Sequence, residues 1–499
     1  MNRRFTTFSV LMAAVSFAMA GSLSGSASVQ AADAARPNVL MITFDDMNWD
    51  SLGCTGCPIP GISPNIDRLA KEGKRFLHAH VTIAVCQPTR AVWMTGRYPH
   101  RNGALGFQPI ALTTPTLQEQ LRKAGYFNGI MAKVSHLAPQ HKFCWDVAIQ
   151  PTQLGVGRSP ELYYQHAKAF FAKAKAEDRP FFLMANSQDP HRPFAGSRQE
   201  NQRKGANPTK KKNTKKQLKP RGNQYSKASK YFKPDEIVVP KFLPDIPDIR
   251  KELAQYFTSV HRADEIAGAV LKALDEAGLS KNTLVMFMSD HGMPLPFAKT
   301  NCWLNSTRTP WIVRWPGVVE AGAVDKEHMI SGIDFTPTIL DALGLPQLDG
   351  VDGRSFLPLL KGEKQTGREE IYTVFHRTAG RRNYEMRCVL TKQFGYIFNA
   401  WSDGQSVFRN ESQSGLAFRA MQTAAKKNAD IAARVKLFEY RVPEEFYNYT
   451  SDPAALHNLI DDKNQRERIA GFRQSMRARM KKIDDPVRAE FEKRFPASE

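Results

Sequence analysis

The residues best suited to chemistry in this chain come directly after predicted strands. Asp45 and Asp46 follow one apolar run, Lys133 follows a second, and Asp290 follows a third. Carboxylates bind hard cations, and the lysine ammonium group binds anions. Strands of an α/β sheet form one ligand-binding edge at their carboxyl ends, so these side chains are predicted to converge. Each alone has a plainer explanation, since Asp45-Asp46 could be a turn or a helix cap.

A cysteine motif lies between the first two of these positions. Residues 86–90 read Cys-Gln-Pro-Thr-Arg, and Thr-Gly-Arg follows at 95–97. A five-residue pattern can arise by chance, and a structural cysteine before a helix is the competing interpretation. The motif therefore needs support from residues elsewhere in the chain.

That support is present, and in this order the motifs resemble those of the sulfatase family. The segment at Cys86 fits the family pattern C-x-P-[ST]-R with its trailing T-G-R. Three features depart from the commonest form: Thr89 stands in place of Ser, which the pattern allows, His291 stands where many members have Asn, and Lys133 and His136 are spaced K-x-x-H. The other matching segments are Asp45-Asp46, Pro64–Ala70, Asp189–Pro193, Ser289–Gly292, Lys299, Asp334–Thr338 and Tyr449–Leu459.

The resemblance implies a nucleophile and a cofactor. Cys86 is expected to be oxidised to formylglycine by a formylglycine-generating or sulfatase-maturing enzyme, and its hydrated aldehyde is expected to attack sulfur. Carboxylate oxygens suit Ca²⁺, with Mg²⁺ as the alternative, whereas an imidazole is a softer ligand. The side chains expected to hold this cation are those of Asp45, Asp46, Cys86, Asp290 and His291.

The resemblance also implies roles for five basic side chains. Lys133 and Lys299 are expected to bind the sulfate oxygens, and Arg90 can donate two hydrogen bonds near the nucleophile. His136 is the expected base that removes a proton from the second hydroxyl of the hydrated aldehyde, and His191 is the expected acid for the leaving group. Histidine suits both roles because it ionises near neutral pH.

The substrate class rests on the resemblance as well. Some stretches look closest to heparan N-sulfatase (sulfamidase) and others to iduronate sulfatase, which implies hydrolysis of a sulfate ester or sulfamate on a (poly)saccharide. Two alternatives stay open: a phosphatase or phosphonate hydrolase of the same superfamily, and a non-catalytic glycan-binding homologue. The residues expected to bind the glycan at the rim of the pocket are His376, Arg381, Arg382, Tyr384 and Glu385.

The elements that must position these residues alternate between strand and helix. This alternation predicts an α/β sheet covered by helices on both faces. The resemblance implies an alkaline-phosphatase-like mixed sheet. Shorter, more polar strands after residue 371 predict a smaller antiparallel subdomain. The predicted strands of the main sheet are 38–44, 126–132, 180–186 and 283–288, and the predicted helices are 65–72, 116–124, 160–175 and 250–277.

The chain is expected to consist of a signal peptide (1–31), a catalytic α/β domain (32–370) and a C-terminal α+β subdomain (371–499). Basic residues followed by a short apolar run predict export to the periplasm or the extracellular space, without a membrane anchor.

The formal net charge of +21 favours acidic partners. Much of this charge lies in a basic insertion at 197–235, which has no apolar periodicity and is predicted to be a surface loop. It could instead bind a sulfated polymer. Nucleic acid is not an expected partner, because the insertion lacks interleaved aromatic residues.

Overall fold

Twelve strands build two sheets in the part of the chain that this computed structural model describes, residues 36–205 and 225–496. The strands are β1 (Asn38–Asp45), β2 (Lys74–His80), β3 (Phe127–Met131), β4 (Val147–Ile149), β5 (Phe181–Pro190), β6 (Thr283–Ser289), β7 (Trp311–Arg314), β8 (Val324–Ser331), β9 (Glu370–Arg377), β10 (Asn383–Thr391), β11 (Phe394–Asn399) and β12 (Glu444–Asn448). Eight of them form a mixed sheet in the order β4-β3-β5-β1-β6-β7-β2-β8, in which β7 runs antiparallel to both neighbours. The other four form an antiparallel sheet in the order β12-β11-β10-β9.

Fourteen α-helices accompany the sheets in the described ranges. They are α1 (Pro64–Glu72), α2 (Cys86–Thr95), α3 (Pro99–Asn102), α4 (Leu117–Lys123), α5 (Pro160–Ala176), α6 (Arg198–Gly205), α7 (Pro247–Glu276), α8 (Leu304–Thr307), α9 (Phe335–Ala342), α10 (Leu357–Leu360), α11 (Leu416–Ala425), α12 (Ala429–Tyr440), α13 (Arg466–Lys482) and α14 (Arg488–Arg494). Every predicted helix of the main domain overlaps an observed one.

Strand β1 lies in the middle of the large sheet and is buried on both faces. Leu40, Ile42 and Phe44 belong to one hydrophobic core, and Val39 and Met41 belong to the other. Side chains of a strand alternate between the two faces, so a central strand needs an uninterrupted apolar run. Helices α1, α5 and α7 cover the first core, and α4 and α9 cover the second. Because β5 and β6 pair in parallel with β1, the three strands end at the same edge.

The antiparallel sheet adjoins the segment that precedes Cys86. The Val374 amide in β9 donates to the Thr82 carbonyl at 2.8 Å, and Ile83 pairs with Val374. Side chains from all four strands join the first core, and residues from 37 onward form one compact unit. The predicted α/β sheet with a smaller antiparallel sheet is confirmed, whereas the boundary at residue 370 stays a prediction.

The basic insertion differs in part from the predicted surface loop. It begins with α6, and residues 206–224 lie outside the described ranges. Beyond them, Tyr225 and Phe232 are buried, and the Arg158 guanidinium carbon lies 5.1 Å from the centre of the Tyr225 ring. Residues 225–233 lie outside helices and strands, as predicted, but the side chains of Tyr225 and Phe232 are not at the surface. Isolated aromatic anchors of this kind produce no apolar periodicity, so the sequence pattern does not reveal them.

The predicted signal peptide, residues 1–31, also lies outside the described ranges. Export therefore stays a prediction. Within the described ranges, no helix combines the length and the apolar character that crossing a bilayer requires.

Gly292 lets the segment after β6 pass close to two other backbone segments. A Cβ at this position would overlap the carbonyl oxygens of Asn305 and Ala298. Backbone cannot yield as a flexible side chain does, so we predict that Gly292→Ala lowers the free energy of unfolding by about 1–3 kcal/mol. The measurement is urea denaturation followed by circular dichroism.

Gly471→Ala is the matched control. Gly471 lies within α13, and a Cβ there would meet no atom within 4 Å. Alanine has a higher helix propensity than glycine, so this substitution should raise the free energy of unfolding by up to about 1 kcal/mol. Equal effects of the two substitutions would contradict the steric argument.

Candidate active site

Three carboxylates meet where the parallel strands β1 and β6 end. Asp45 is the last residue of β1, and Asp290 directly follows β6. The Asp290 amide donates to the Phe44 carbonyl at 3.2 Å, and the Asp46 amide donates to the Asp290 carboxylate at 3.0 Å. Asp46 has a φ of 69°, a left-handed conformation that Asp adopts more readily than most residues. The resulting turn places all three carboxylates in one buried region.

The carboxylates of Asp45 and Asp290 differ in their affinity for a proton. Burial raises the pKa of Asp45, but the Lys133 ammonium group and other nearby positive charges outweigh burial and hold this pKa well below its usual range. Burial and the Asp45 charge raise the pKa of Asp290 to about 6, although His291 opposes them. A cation bound next to both carboxylates would stabilise their charged forms.

Cys86 is the first residue of α2 and is buried beside these carboxylates. Its Sγ lies 3.3 Å from His291 Nε2 and 3.8 Å from Asp46 Oδ1. Burial, followed by the Asp45 carboxylate, raises the pKa of the Cys86 thiol well above its usual value. An unmodified thiol at this position stays protonated at neutral pH and is a weak nucleophile. The thiol marks the place where the sequence predicts formylglycine.

Arg90 lies one turn further along α2 and contacts polar side chains of β1 and β5 and the residue that follows β6. Its Nη2 donates to Asp290 Oδ2 at 2.9 Å and lies 3.6 Å from Asp45 Oδ1. Its Nη1 donates to Asn186 Oδ1 at 2.5 Å and to Thr43 Oγ1 at 3.1 Å. The guanidinium group is fully buried, so its fork of donors fixes the carboxylates relative to the residue at position 86.

Two buried lysines neutralise Asp45 and Asp46. Lys133 Nζ forms an ion pair with Asp45, and Lys299 Nζ donates to both oxygens of Asp46 at 2.8 Å each. Burial lowers the pKa of Lys299, but the Asp46 charge outweighs burial and holds this pKa well above its usual value. The Lys299 ammonium group is therefore charged at neutral pH.

The two predicted catalytic histidines flank the cluster. His191 Nδ1 lies 2.6 Å from the Arg192 carbonyl oxygen, and its Nε2 lies 3.9 Å from Asp46 Oδ2. His136 Nδ1 is buried without a hydrogen-bond partner among the described residues. Burial, followed by the Lys133 charge, holds the pKa of His136 well below its usual value. His136 is therefore a neutral imidazole at neutral pH.

Buried ion pairs hold the segment that carries His191. Asp189 accepts hydrogen bonds from Arg262 Nε at 2.5 Å and from Arg158 Nε at 2.9 Å. Arg158 Nη2 also donates to the His191 carbonyl at 2.9 Å, and Arg262 Nη1 donates to Glu200 at 2.9 Å. Removing one partner from a buried ion pair costs about 3–5 kcal/mol, so this network fixes the backbone at His191.

Glu411 is a site residue that the sequence analysis missed. Its Oε2 lies 2.9 Å from Lys299 Nζ, and its Oε1 lies 3.3 Å from His191 Nε2. Burial raises the pKa of Glu411, but the Lys299 charge and then the His191 charge outweigh burial and hold this pKa well below its usual range. Glu411 stands in a polar stretch after β11, where neither a motif nor a periodicity marks it.

The donor set fits a divalent cation. Asp45 Oδ1 is buried and has no hydrogen-bond donor among the described residues. A cation would satisfy such an oxygen, and the oxygen-rich set favours Ca²⁺ or Mg²⁺ over softer metals. Two groupings have one possible ligand atom per residue within 4.8 Å of the others, namely Asp45, Cys86, Asp290 and His291, and Asp45, Asp46, Cys86 and His191.

Three of the residues predicted to bind a glycan have side chains that form contacts within the protein. Tyr384 is buried in the first core, and its hydroxyl donates to the Val407 carbonyl at 3.0 Å. This places Tyr384 in the core instead of at the predicted rim. His376 is buried, with Nδ1 2.7 Å from Glu385 Oε2, and Glu385 also pairs with Arg387 at 3.2 Å.

Arg381 and Arg382 are exposed at the turn between β9 and β10. The same hairpin includes Arg377, which packs against Gly106. Gly106 lies in the loop between α3 and α4, and the next residue of this loop is Phe107. The ring centre of Phe107 lies 5.8 Å from the ring centre of His136. The exposed turn is thus linked to the active-site cluster through one short loop.

Known proteins resemble this chain over most of its length. Residues 37–345 match the sulfatase family, and residues 290–407 match the family described as N-sulphoglucosamine sulphohydrolase, C-terminal. Human N-sulphoglucosamine sulphohydrolase is 28% identical over 460 residues, which are 86% of this chain and 87% of that protein. An ulvan-active sulfatase of Formosa agariphila is 26% identical over 483 residues, which are 88% of this chain and 74% of that protein.

A solved structure shares the fold. It was determined in complex with its substrate D-glucosamine-2-N,6-O-disulfate, and it superposes with a TM-score of 0.63 at 18% identity over 90% of this chain and 99% of that one. The sulfatase match covers more than half of this chain. The chain therefore belongs to the sulfatase family, near the N-sulphoglucosamine sulphohydrolase branch, and is a sulfuric ester hydrolase.

Proposed function

We propose that this sulfatase hydrolyses a sulfate ester or sulfamate on a (poly)saccharide, with a formylglycine made from Cys86 and a divalent cation beside it. The observation that carries the proposal is the position of Cys86, 3.3 Å from His291 in a buried cluster with three carboxylates and two lysines. Attack on an anionic sulfur centre needs a nucleophile surrounded by fixed positive charge where water is excluded.

The cation proposed for the site is Ca²⁺, with Mg²⁺ as the alternative. When bound, it supplies fixed positive charge that stabilises the sulfate oxygens. Lys133 and Lys299 already contact carboxylates next to residue 86, so a sulfate group at that residue would receive hydrogen bonds from both. The side chains that would hold the ion are those of Asp45, Asp46, Asp290, His291 and residue 86.

Two histidines are proposed to move protons. His136 is neutral at neutral pH, so it can accept a proton from the hydrated side chain at position 86. His191 Nδ1 lies 2.6 Å from the Arg192 carbonyl oxygen, so this contact can hold the ring while Nε2, which faces the cluster, donates a proton to the leaving group.

The proposed substrate is a sulfated glycan. One relative is named for N-sulphoglucosamine and another for ulvan. Arg381 and Arg382 are exposed on the turn that the Phe107 loop links to His136, and we propose that they contact the sugar. Tyr384 is left out of this set because the fold uses its hydroxyl.

Maturation and export complete the proposal. A formylglycine-generating or sulfatase-maturing enzyme would oxidise Cys86, since the flanking Pro88 and Arg90 match the family pattern. The basic and apolar residues of 1–31 would direct the chain to the periplasm or the extracellular space. Residues 371–499 would form the C-terminal subdomain that helps to select the substrate.

The first prediction concerns the nucleophile. Cys86→Ala should lower the turnover of 4-nitrophenyl sulfate more than about a thousandfold, because the attacking group is lost. The measurement is the initial rate of protein coexpressed with a maturing enzyme, with circular dichroism to show that the fold is kept. The same preparation should hydrolyse 4-nitrophenyl phosphate far more slowly than the sulfate.

Cys144→Ala is the matched control, because this half-buried thiol lies outside the cluster. Its rate should equal that of the unsubstituted protein. Turnover by a protein that retains an unmodified thiol at position 86 would contradict the proposal.

The second prediction concerns the leaving group. His191→Ala should slow the hydrolysis of a sulfated oligosaccharide by about 10²–10⁴-fold and that of 4-nitrophenyl sulfate much less. The reason is that a phenolate of low basicity leaves without a proton, whereas a sugar alkoxide or amine needs one. The measurement is kcat/KM for both substrates.

The exposed His141 supplies the control, and His141→Ala should leave both rates unchanged. Equal losses on the two substrates in His191→Ala would remove His191 from the acid role.

A further inference from the structure

A cavity lies next to the segment that carries His191 of the active-site cluster. Its volume is about 760 Å³, and it is bounded by the segment that follows His191, by the first turns of α7 and by the start of α11. A cavity of this size falls in the range that binds a small molecule or one or two sugar units. The side chains used in the following argument are those of Arg192, Arg198, Lys251, Glu252 and Arg419.

The acidic side chain among these lining residues is already neutralised. Glu252 Oε1 accepts a hydrogen bond from Arg192 Nη2 at 2.8 Å, and its Oε2 accepts one from the Ala417 amide at 2.6 Å. Arg192 also donates to the Pro294 carbonyl, so its guanidinium group is held by the fold. Neither side chain is available to a ligand, and together they contribute no net charge to the cavity wall.

Three further basic side chains at the cavity have no acidic partner among the described residues, so a ligand can pair with them. Arg198, Lys251 and Arg419 are exposed, and no carboxylate of the described residues forms an ion pair with any of them. Arg419 has one bond of its own, from Nη1 to the Ser414 carbonyl at 3.0 Å. Unpaired positive charges around one concave surface attract an anion, and an arginine adds directed hydrogen bonds to sulfate or carboxylate oxygens.

The start of α11 also lines the cavity, at Gly415 and Leu416. The Glu252 carboxylate caps the first turn of this helix through the Ala417 amide, so the helix end adds no free positive charge. The attraction for an anion therefore comes from the three basic side chains.

The cavity lies on the side of the cluster that would hold the leaving group. Arg192 directly follows His191, which is the proposed acid for that group. Ser414, another lining residue, donates to the carbonyl of Glu411 at 2.7 Å, and Glu411 lies 3.3 Å from His191. A sugar that leaves past His191 would carry its neighbouring unit toward this cavity.

We propose that this cavity is an anion subsite that binds a second sulfate or a carboxylate of the same oligosaccharide. This inference rests on the proposed function and narrows it: the preferred substrates carry at least two anionic groups on neighbouring sugar units. The cluster at Cys86 then binds the sulfate that is hydrolysed, while Arg198, Lys251 and Arg419 bind the second anionic group.

The test measures binding, so that it does not depend on turnover. The protein is the full chain with Cys86→Ala, and the probes are a heparin tetrasaccharide, an ulvan tetrasaccharide and 4-nitrophenyl sulfate. Adding Arg198→Ala and Lys251→Ala should weaken the binding of at least one tetrasaccharide about tenfold, because two charge-assisted contacts are lost. The dependence of that affinity on salt should become shallower, and the effect on 4-nitrophenyl sulfate should be several times smaller.

Lys272→Ala is the matched control. Lys272 is an exposed lysine on the same helix α7, about 30 Å from Lys251 along the axis, and its removal should change the affinity less than about twofold. Tetrasaccharide affinities unchanged by the double substitution, or no binding of either tetrasaccharide, would overturn the subsite.

The two proposals fail in different ways. Unchanged affinities together with normal hydrolysis of 4-nitrophenyl sulfate by matured protein would reject the subsite and keep the sulfatase mechanism. Absent hydrolysis together with binding that depends on Arg198 and Lys251 would reject the formylglycine mechanism and keep the subsite.

Discussion

The active site depends on mutual neutralisation of buried acids and bases at the ends of β1 and β6. An isolated buried charge costs several kcal/mol, so each carboxylate requires a partner brought by another part of the fold. Arg90 comes from the start of α2, Lys133 from the end of β3, and Lys299 from the loop after β6. The pairs they form are with Asp290, Asp45 and Asp46.

Neutralisation remains incomplete, and this has a chemical consequence. Asp45 Oδ1 lacks a hydrogen-bond donor among the described residues, while the pKa of Asp290 is raised to about 6 by burial. Both features mark carboxylate groups that the donors of the protein leave incompletely stabilised. The site is therefore prepared for a cation and for the polar side chain that maturation would create at Cys86.

The sequence predicts this site well where local patterns are strong. Strands β1, β5 and β6 are buried on both faces and read as apolar runs, and the reactive motifs lie directly after strands or at a helix start. Strand β2 mixes basic and apolar residues, and β7 has four residues, so neither carries a clear signal. Their positions depend on pairing with strands far away in the chain.

Contacts between distant segments account for the remaining differences. Glu411 reaches Lys299 across 112 residues, and the ion pair of Asp189 with Arg262 joins β5 to α7, so no local pattern could reveal either. Tyr384 was misplaced for another reason. Neighbouring residues of a strand face opposite sides, and the polar residues around Tyr384 suggested a rim, whereas its own side chain faces the core.

The central claim is that these carboxylates form one cation site next to residue 86. The most direct measurement is an anomalous difference map from crystals of the Cys86→Ala protein grown with CaCl₂. A single calcium peak about 2.3–2.6 Å from the oxygens of Asp45, Asp46 and Asp290 is the predicted result. A map without a peak there, with Lys133 and Lys299 still paired with Asp45 and Asp46, would contradict it.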